Sequence, residues 1–316
     1  MESKNGENPR PLVSFILMAY NQQDYIAEAV NAALAQDYDN LELIISDDCS
    51  PDSTFDIISA ITSEYEGKHR IVVNRNDHNL GLARHFNTLM AMAQGEIIVL
   101  AAGDDLSLPD RVSNTVNELS NEPGAIFVSF ADTIIDAQGQ VIKSKTAQTA
   151  KTRQVITLDD YLEGNYSGLS GASRGFYKSL FSQFGPLDAA CPTEDTPCLL
   201  RGLLLGSGIV SPQPAIKYRK HGNNLSSFNS INRMDFKVIT EQYRKDVERA
   251  EKEGTISAAT AQRTRQWIDL NYQRKFLRQK VFSEPFNLGL FLKFLWSDKN
   301  FTLKEKLGIL RRKIRS

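Results

Sequence analysis

Residues 79–105 read NLGLARHFNTLMAMAQGEIIVLAAGDD. Apolar residues recur at helical spacing over 82–93, which predicts a helix. The run EIIVLA at 96–101 predicts a short buried strand that ends at Gly103-Asp104-Asp105. Pro109 then opens another helix, at a position where its missing N–H costs nothing. The same alternation extends in both directions. LVSFILM at 12–18 is a strand ending at Ala19-Tyr20-Asn21, followed by a helix over 26–35. LELIIS at 41–46 is a strand ending at Asp47-Asp48. Ser50, Asp52 and Ser53 supply N-cap chemistry for a helix that runs to about residue 65. A short strand at 71–73 and another at 125–130 complete the series. Strands alternating with helices imply right-handed βαβ units and a mostly parallel, Rossmann-like α/β sheet. In such a sheet, ligands bind beyond the carboxyl ends of the strands. Three polar clusters fall there: Tyr20-Asn21, Asp47-Asp48 and Asp104-Asp105.

The acid pair Asp104-Asp105 is suited to a hard divalent cation, since Mg²⁺ typically takes one or two carboxylates and completes its shell with substrate phosphates. Taken alone, the pair could equally be a helix cap with one solvated carboxylate. Asp47-Asp48 carries the same ambiguity: a carboxylate there can accept from a base or a ribose, or can cap the next helix. Gly81 permits a tight turn, and Arg84 and Asn87 lie at the start of a helix on the same rim. Glu194-Asp195, in CPTEDTPCLLRG, sits just before a helix predicted over 196–205. A carboxylate there can cap the helix or take a proton from an attacking hydroxyl.

The motifs AYN at 19–21, SDDCSPDST at 46–54 and NLGLARHFN…GDD at 79–105 form an ordered set with characteristic spacing. The set resembles the family 2 glycosyltransferases, which have the GT-A fold, over residues 11–226. The resemblance places Tyr20, Asn21, Asp47 and Asp48 around a nucleoside, with Gly81 and Arg84 beside them. It makes Asp104 and Asp105 the acidic metal motif, with Asp105 the direct ligand of Mg²⁺ or Mn²⁺ and Asp104 supporting it or reaching the sugar. Ala102 stands where many relatives carry the first carboxylate of that motif. Asp195, beside Glu194, matches the family's catalytic base. In YRKHGNNLS at 218–226, the resemblance sets His221 on the metal or diphosphate and Arg219 on phosphate. Arg174, in GASRGFY, falls where the donor sugar and acceptor are usually lined. The activity implied is inverting transfer of a sugar from a nucleoside diphosphate to a hydroxyl of a glycan or lipid-linked glycan, in assembly of a bacterial surface polysaccharide such as O-antigen or capsule. Uridine is the default base, with deoxythymidine and guanosine open.

Rival readings are weaker. A nucleotidylyltransferase needs a Gly-rich loop bearing Arg or Lys after the first strand, where this chain has AYNQQDY. A dehydrogenase needs G-x-G-x-x-G there. A catalytically inactive GT-A-fold binding or scaffold protein would not need Asp104, Asp105 and Asp195. Cys198 lacks a histidine partner and reads as a small buried residue.

The 316 residues carry a net charge of -1, which argues against a nucleic-acid partner. The three cysteines are too few, and wrongly spaced, for a disulfide framework or structural zinc. A polar start at 1–10 lacks an apolar leader core, so a cytoplasmic setting is expected. The Asn-x-Ser/Thr triplets at Asn165, Asn224 and Asn300 are then chance matches. The expected organisation is a flexible start at 1–10, a catalytic domain at 11–228 with nucleotide and acceptor halves meeting near 130, and a helical extension at 229–316. From 271 to 316 there are twelve Lys and Arg against three Asp and Glu. Apolar residues at 286–296, followed by LKEKLGILRRKIRS at 303–316, predict amphipathic helices. They either rest on the inner face of the cytoplasmic membrane, pack on the catalytic domain, or join two copies in a homodimer.

Overall fold

A computed structural model of the chain describes residues 10–142, 151–222, 224, 227–283 and 287–297. The chain forms two compact units that divide between His221 and Gly222. The first contains β1 (Val13–Ala19), α1 (Ile26–Leu34), β2 (Leu41–Asp47), α2 (Thr54–Ser63), β3 (Arg70–Arg75), α3 (Leu82–Met92) and β4 (Ile97–Ala102). It continues through β5 (Leu106–Ser107), α4 (Arg111–Ser120), β6 (Ala125–Ile135), β7 (Gln154–Ile156), α5 (Leu158–Glu163) and β8 (Gly175–Tyr177). The short helix α6 (Ser179–Phe184), α7 (Asp195–Leu205) and the long β9 (Ser207–Arg219) complete it.

One mixed sheet runs in the order β3-β2-β1-β4-β8-β6-β9-β5, with β7 on β9. From β3 to β4 every pairing is parallel. β1 and β2 are buried along almost their whole length, as strands covered on both faces must be. Their side chains, with α1 and α4, form the core around Phe15, Leu17, Ile45 and Val99. Parallel pairing aligns the strand ends, so Ala19 stands level with Asp47, and Met18 with Ala102. The three polar clusters therefore share one rim.

Beyond β4 the sheet departs from the parallel pattern. The three-residue β8 inserts antiparallel to both β4 and β6. β6 runs to Ile135 rather than stopping at 130, because its second half continues alongside β9 after register shifts at 129–132. These shifts fall where β9 carries Pro212 and Pro214, residues that cannot donate to a ladder.

The second unit is helical: α8 (Phe228–Arg233), α9 (Phe236–Lys252), α10 (Ala258–Ser283) and α11 (Leu288–Ser297). α9 buries Ile239, Tyr243, Val247 and Ala250, and Arg244–Asp269 and Arg265–Glu251 ion pairs tie it to α10. The expected flexible start and the basic helix at 303–316 lie outside the described residues.

Candidate active site

β4 turns through Gly103-Asp104-Asp105 into β5. A Cβ on Gly103 would stand 2.3 Å from Gln22 Oε1 and 2.9 Å from Ile26 Cδ1, so any larger residue in the turn would displace these two side chains. β5 pairs with β9 through Leu106 and Lys217, which brings the end of β9 beside the acidic turn. There the backbone N–H of Arg219 donates to Asp105 Oδ1 at 2.8 Å. The sequence set Arg219 against phosphate and Asp105 on the metal, but both are turned inward. The Arg219 guanidinium, with its side chain only 1% exposed, donates to Asp104 O, Ala137 O and Glu28 Oε2, each at 3.0 Å. It also lies 4.9 Å above the Tyr25 ring. Asp105 is buried, and its pKa is pushed well above the usual range by burial and then by the charge of Asp104. Asp104 is the carboxylate that meets His221: Oδ2 and Nε2 are 2.9 Å apart, and the imidazole packs against Tyr25.

Among the described residues, no three His, Cys, Asp or Glu side chains converge as a preformed metal centre. The Asp104–His221 pair nevertheless suits a cation that brings other ligands with it. Two neighbouring octahedral ligands at 2.0–2.1 Å stand about 2.9 Å apart. A cation there would also offset the Asp104 charge, which adds to burial in raising Asp105.

A second buried cluster lies below the turn. Arg111, at the start of α4, donates to Ser107 Oγ at 2.9 Å, to Leu100 O on β4, and to Ala172 O at 3.0 Å. Burial lowers its pKa to about 10, while Asp105 and Asp132 oppose that fall. Asp132 accepts from Ser170 at 2.7 Å, and burial raises its pKa. Segment 170–174 is thus tied to the acidic turn from below.

The same segment holds Asp195 at the start of α7. A Cβ on Gly171 would stand 2.6 Å from Asp195 Oδ2. Arg174 is buried, and its Nη1 donates to the Asp195 carbonyl at 2.6 Å, so this side chain braces α7 instead of lining a sugar pocket. Thr193 Oγ1 donates to Asp195 Oδ1. Under the base role that the sequence resemblance gives Asp195, Gly171→Ala is expected to shift Asp195 and lower the turnover number by about 10²-fold, the scale of a 1 Å misplacement. Its melting curve should stay close to wild type, so a large fall in stability would count against this specific effect.

Glu194 makes no capping bond to α7. Burial, reinforced by Asp195 and opposed by Arg174, raises its pKa to about 7. A raised carboxyl stabilises the fold fully below its unfolded value near 4.5, and that contribution is lost as pH rises through about 7. Glu194→Gln should therefore be more stable than wild type by about 1–3 kcal/mol at pH 8, with the gap closing toward pH 4.5. Thermal unfolding of both proteins across that range tests the sign.

At the β1–β2 end of the rim, Tyr20 exposes 46% of its surface at the end of β1. Asn21 takes the left-handed conformation at φ 56, which asparagine tolerates better than most residues. Its N–H is held by Ser50 Oγ at 2.8 Å. Asp47 is fully buried, accepting from Ser50 N–H at 2.9 Å and from its hydroxyl, so it holds the loop after β2 and does not cap α2, whose N-cap is Ser53. Asp48 accepts from Asn76 Nδ2 at 2.7 Å and from the N–H groups of Leu80 and Gly81 at 2.9 Å. It thereby fixes the turn at Gly81, whose φ is +76. Arg84, one turn on, is exposed. Asn87 exchanges two hydrogen bonds with Leu187, locking the approach to α7. Cys198 is buried, and its thiol is pushed up to about 12, consistent with an inert residue.

A model of the family described as glycosyl transferase family 2 matches residues 14–185. The chain belongs to that family. The match spans β1 to α6 and includes Asp48, Asp104 and Asp105, while Asp195 and His221 lie beyond its end. The chain is 35% identical over 125 residues to the Escherichia coli protein UDP-Glc:alpha-D-GlcNAc-diphosphoundecaprenol beta-1,3-glucosyltransferase WfaP. That alignment covers 40% of this chain and 47% of the relative. The succinoglycan biosynthesis protein ExoO of Rhizobium meliloti is 28% identical over 218 residues, covering 67% of this chain and 61% of that one. The chain thus spans about half to three-fifths of these two relatives. Among solved structures, residues 1–349 of S. aureus TarS in complex with UDP-GlcNAc superpose with a TM-score of 0.61 at 17% identity, over 96% of this chain and 81% of that one. The mannosyltransferase PcManGT of Pyrobaculum calidifontis, in complex with GDP-Man and Mn²⁺, gives 0.55 at 16%, over 98% and 76%. These likenesses show the fold, the GT-A architecture with its helical C-terminal part.

Proposed function

We propose that this chain is an inverting, metal-assisted glycosyltransferase that passes a sugar from a nucleoside diphosphate to a hydroxyl of a glycan or lipid-linked glycan during bacterial surface-polysaccharide assembly. One observation carries the reading. Segment 170–174 braces two carboxylate clusters together, the acidic turn through Arg111 and Asp132, and Asp195 through Gly171 and Arg174. Such a frame suits a reaction that needs a leaving diphosphate and an attacking hydroxyl held in line.

Asp104 and His221 would hold Mg²⁺ or Mn²⁺, with Asp105 behind them, and the cation would neutralise the departing diphosphate. Arg219 positions the turn and leaves phosphate to other groups. The exposed Tyr20 ring offers a face for the base, and the turn fixed by Asp48 and Gly81 borders it. Asp195 takes the acceptor proton as the hydroxyl attacks the anomeric carbon, and Glu194 shares its field. The glucosyltransferase and succinoglycan relatives support a surface-polysaccharide setting, and the Mn²⁺ complex of the mannosyltransferase supports cation use. Work at the inner face of the membrane follows from a lipid-linked acceptor.

Incubation with a panel of nucleotide sugars, Mn²⁺ or Mg²⁺, and hydroxyl acceptors tests the proposal. Transfer that stops with EDTA and yields the opposite anomer, read by NMR, is the expected result. Full activity in EDTA would overturn the metal assignment, and a retained anomer would overturn the in-line mechanism.

A further inference from the structure

α11 is apolar on two faces. Phe291 and Phe294 are buried in a cluster with Val281, joined by Leu277, Leu290 and Leu295. That face is accounted for by packing within the helical unit. The other is not. Leu288, Leu292 and Trp296 recur every fourth residue, so they form one ridge along the helix. They are 60%, 45% and 86% exposed, and Trp296 is the most exposed large apolar side chain among the described residues. A surface helix of a soluble protein normally presents polar residues there. Lys293 is the only charged residue in the ten of α11.

The length of the helix limits what this ridge can meet. Ten residues extend about 15 Å, half the roughly 30 Å of a bilayer core. No described helix is long and apolar enough to cross a membrane. The flanking sequence is net basic. From 271 to 297 the sequence has five basic residues (Arg274, Lys275, Arg278, Lys280 and Lys293) against one acidic residue, Glu284. From 298 to 316 it has seven basic against two acidic. An apolar ridge ending in tryptophan, with the exposed Lys293 on the same helix and a net basic flanking sequence, suits an anionic lipid surface, where the ring would sit at headgroup depth.

We propose that the ridge Leu288–Leu292–Trp296 lies in the plane of an anionic membrane and seats the enzyme there. The inference deepens the peripheral-membrane reading above, and its test reads lipid binding separately from sugar transfer. Full-length protein is sedimented with vesicles of phosphatidylglycerol and phosphatidylcholine (1:3) or of phosphatidylcholine alone, at low and high salt. The variant Leu292→Ser/Trp296→Ser changes two exposed side chains and leaves Phe291 and Phe294 in place. Wild type should bind the anionic vesicles, and less so at high salt or without phosphatidylglycerol. The double variant should bind them at least about tenfold more weakly, with unchanged circular dichroism, melting temperature and turnover of a soluble acceptor. Equal vesicle binding by both proteins would overturn the proposal. So would a concentration-dependent dimer, seen by light scattering without lipid and abolished in the variant, when wild type fails to bind vesicles. Lipid binding without any sugar transfer would leave this inference standing and sink the catalytic reading instead.

Discussion

Asp195→Asn is expected to lower the rate of sugar transfer by about 10²–10⁴-fold, the range typical of a general base, while nucleotide binding stays near wild type. Asparagine keeps the shape and can still accept from Thr193 Oγ1, so α7 should not move. What it removes is basicity at the place where, in the proposed mechanism, the acceptor hydroxyl loses its proton. In the proposed arrangement the donor side rests on other groups, namely Asp104, His221, Tyr20 and the turn at Gly81. Thermal shift with nucleoside diphosphate and Mn²⁺ should therefore be unchanged, and single-turnover transfer should report the whole loss. Glu194 offers an internal control. Its carboxyl is raised to about 7 partly by the charge of Asp195, so the asparagine variant should let it titrate lower. A variant with full activity, or one that loses nucleotide binding in step with activity, would remove Asp195 from the base role.

Much of the first half of the fold was legible because each βα unit carries its own punctuation. β1, β2 and β4 are short apolar runs that stop at polar residues, and α3 has clear helical spacing between Gly81 and Ala93. Segments with only local signals too brief to register were missed. β8 is three residues long and becomes a strand only because β4 and β6 flank it. The extension of β6 depends on its pairing with β9, some eighty residues away in sequence.

The site shows the same division. Asp104, Asp105, Asp195 and His221 stand out as polar residues at element ends, and the structure brings Asp104 and His221 into contact. Which way a charged side chain turns is decided by tertiary partners. The same sequence that points Arg219 and Arg174 toward ligand allows both to be consumed by backbone carbonyls. Tyr25, Asp132 and Arg111 were not singled out at all. For Arg111 a signal existed. It falls on the stripe of α4 formed by Val112, Thr115, Val116 and Leu119, all buried. An arginine on an apolar stripe must find partners inside the protein.

That position makes Arg111→Met the substitution with the largest expected effect on stability. Methionine fills much of the volume and adapts to its surroundings, so cavity formation is not the main cost. The loss is electrostatic and polar. Leu100 O and Ala172 O lose a shared donor, and the buried acids Asp105 and Asp132 lose the cation between them. Removing one partner of a buried charge group typically costs about 3–5 kcal/mol. For a domain of this size that is a fall of about 6–20 °C in melting temperature. The sign of the pH dependence is fixed by the two acids. Both already have raised pKa values, so their protonated forms favour the fold at low pH and this contribution fades as pH rises through the folded values. Without Arg111 those values rise further and the loss reaches to higher pH. The deficit of the variant should be smallest near pH 4 and full by pH 8. Arg111→Lys, which keeps the charge but cannot span Ser107, Leu100 and Ala172 together, should fall between the two. A melting-temperature gap that does not change with pH would sink the electrostatic account. Because Ala172 adjoins Gly171 and so the Asp195 carboxylate, the variant should, on the proposed mechanism, also lose turnover at temperatures where it remains folded, since the strut that sets Asp195 against the acidic turn has lost its anchor.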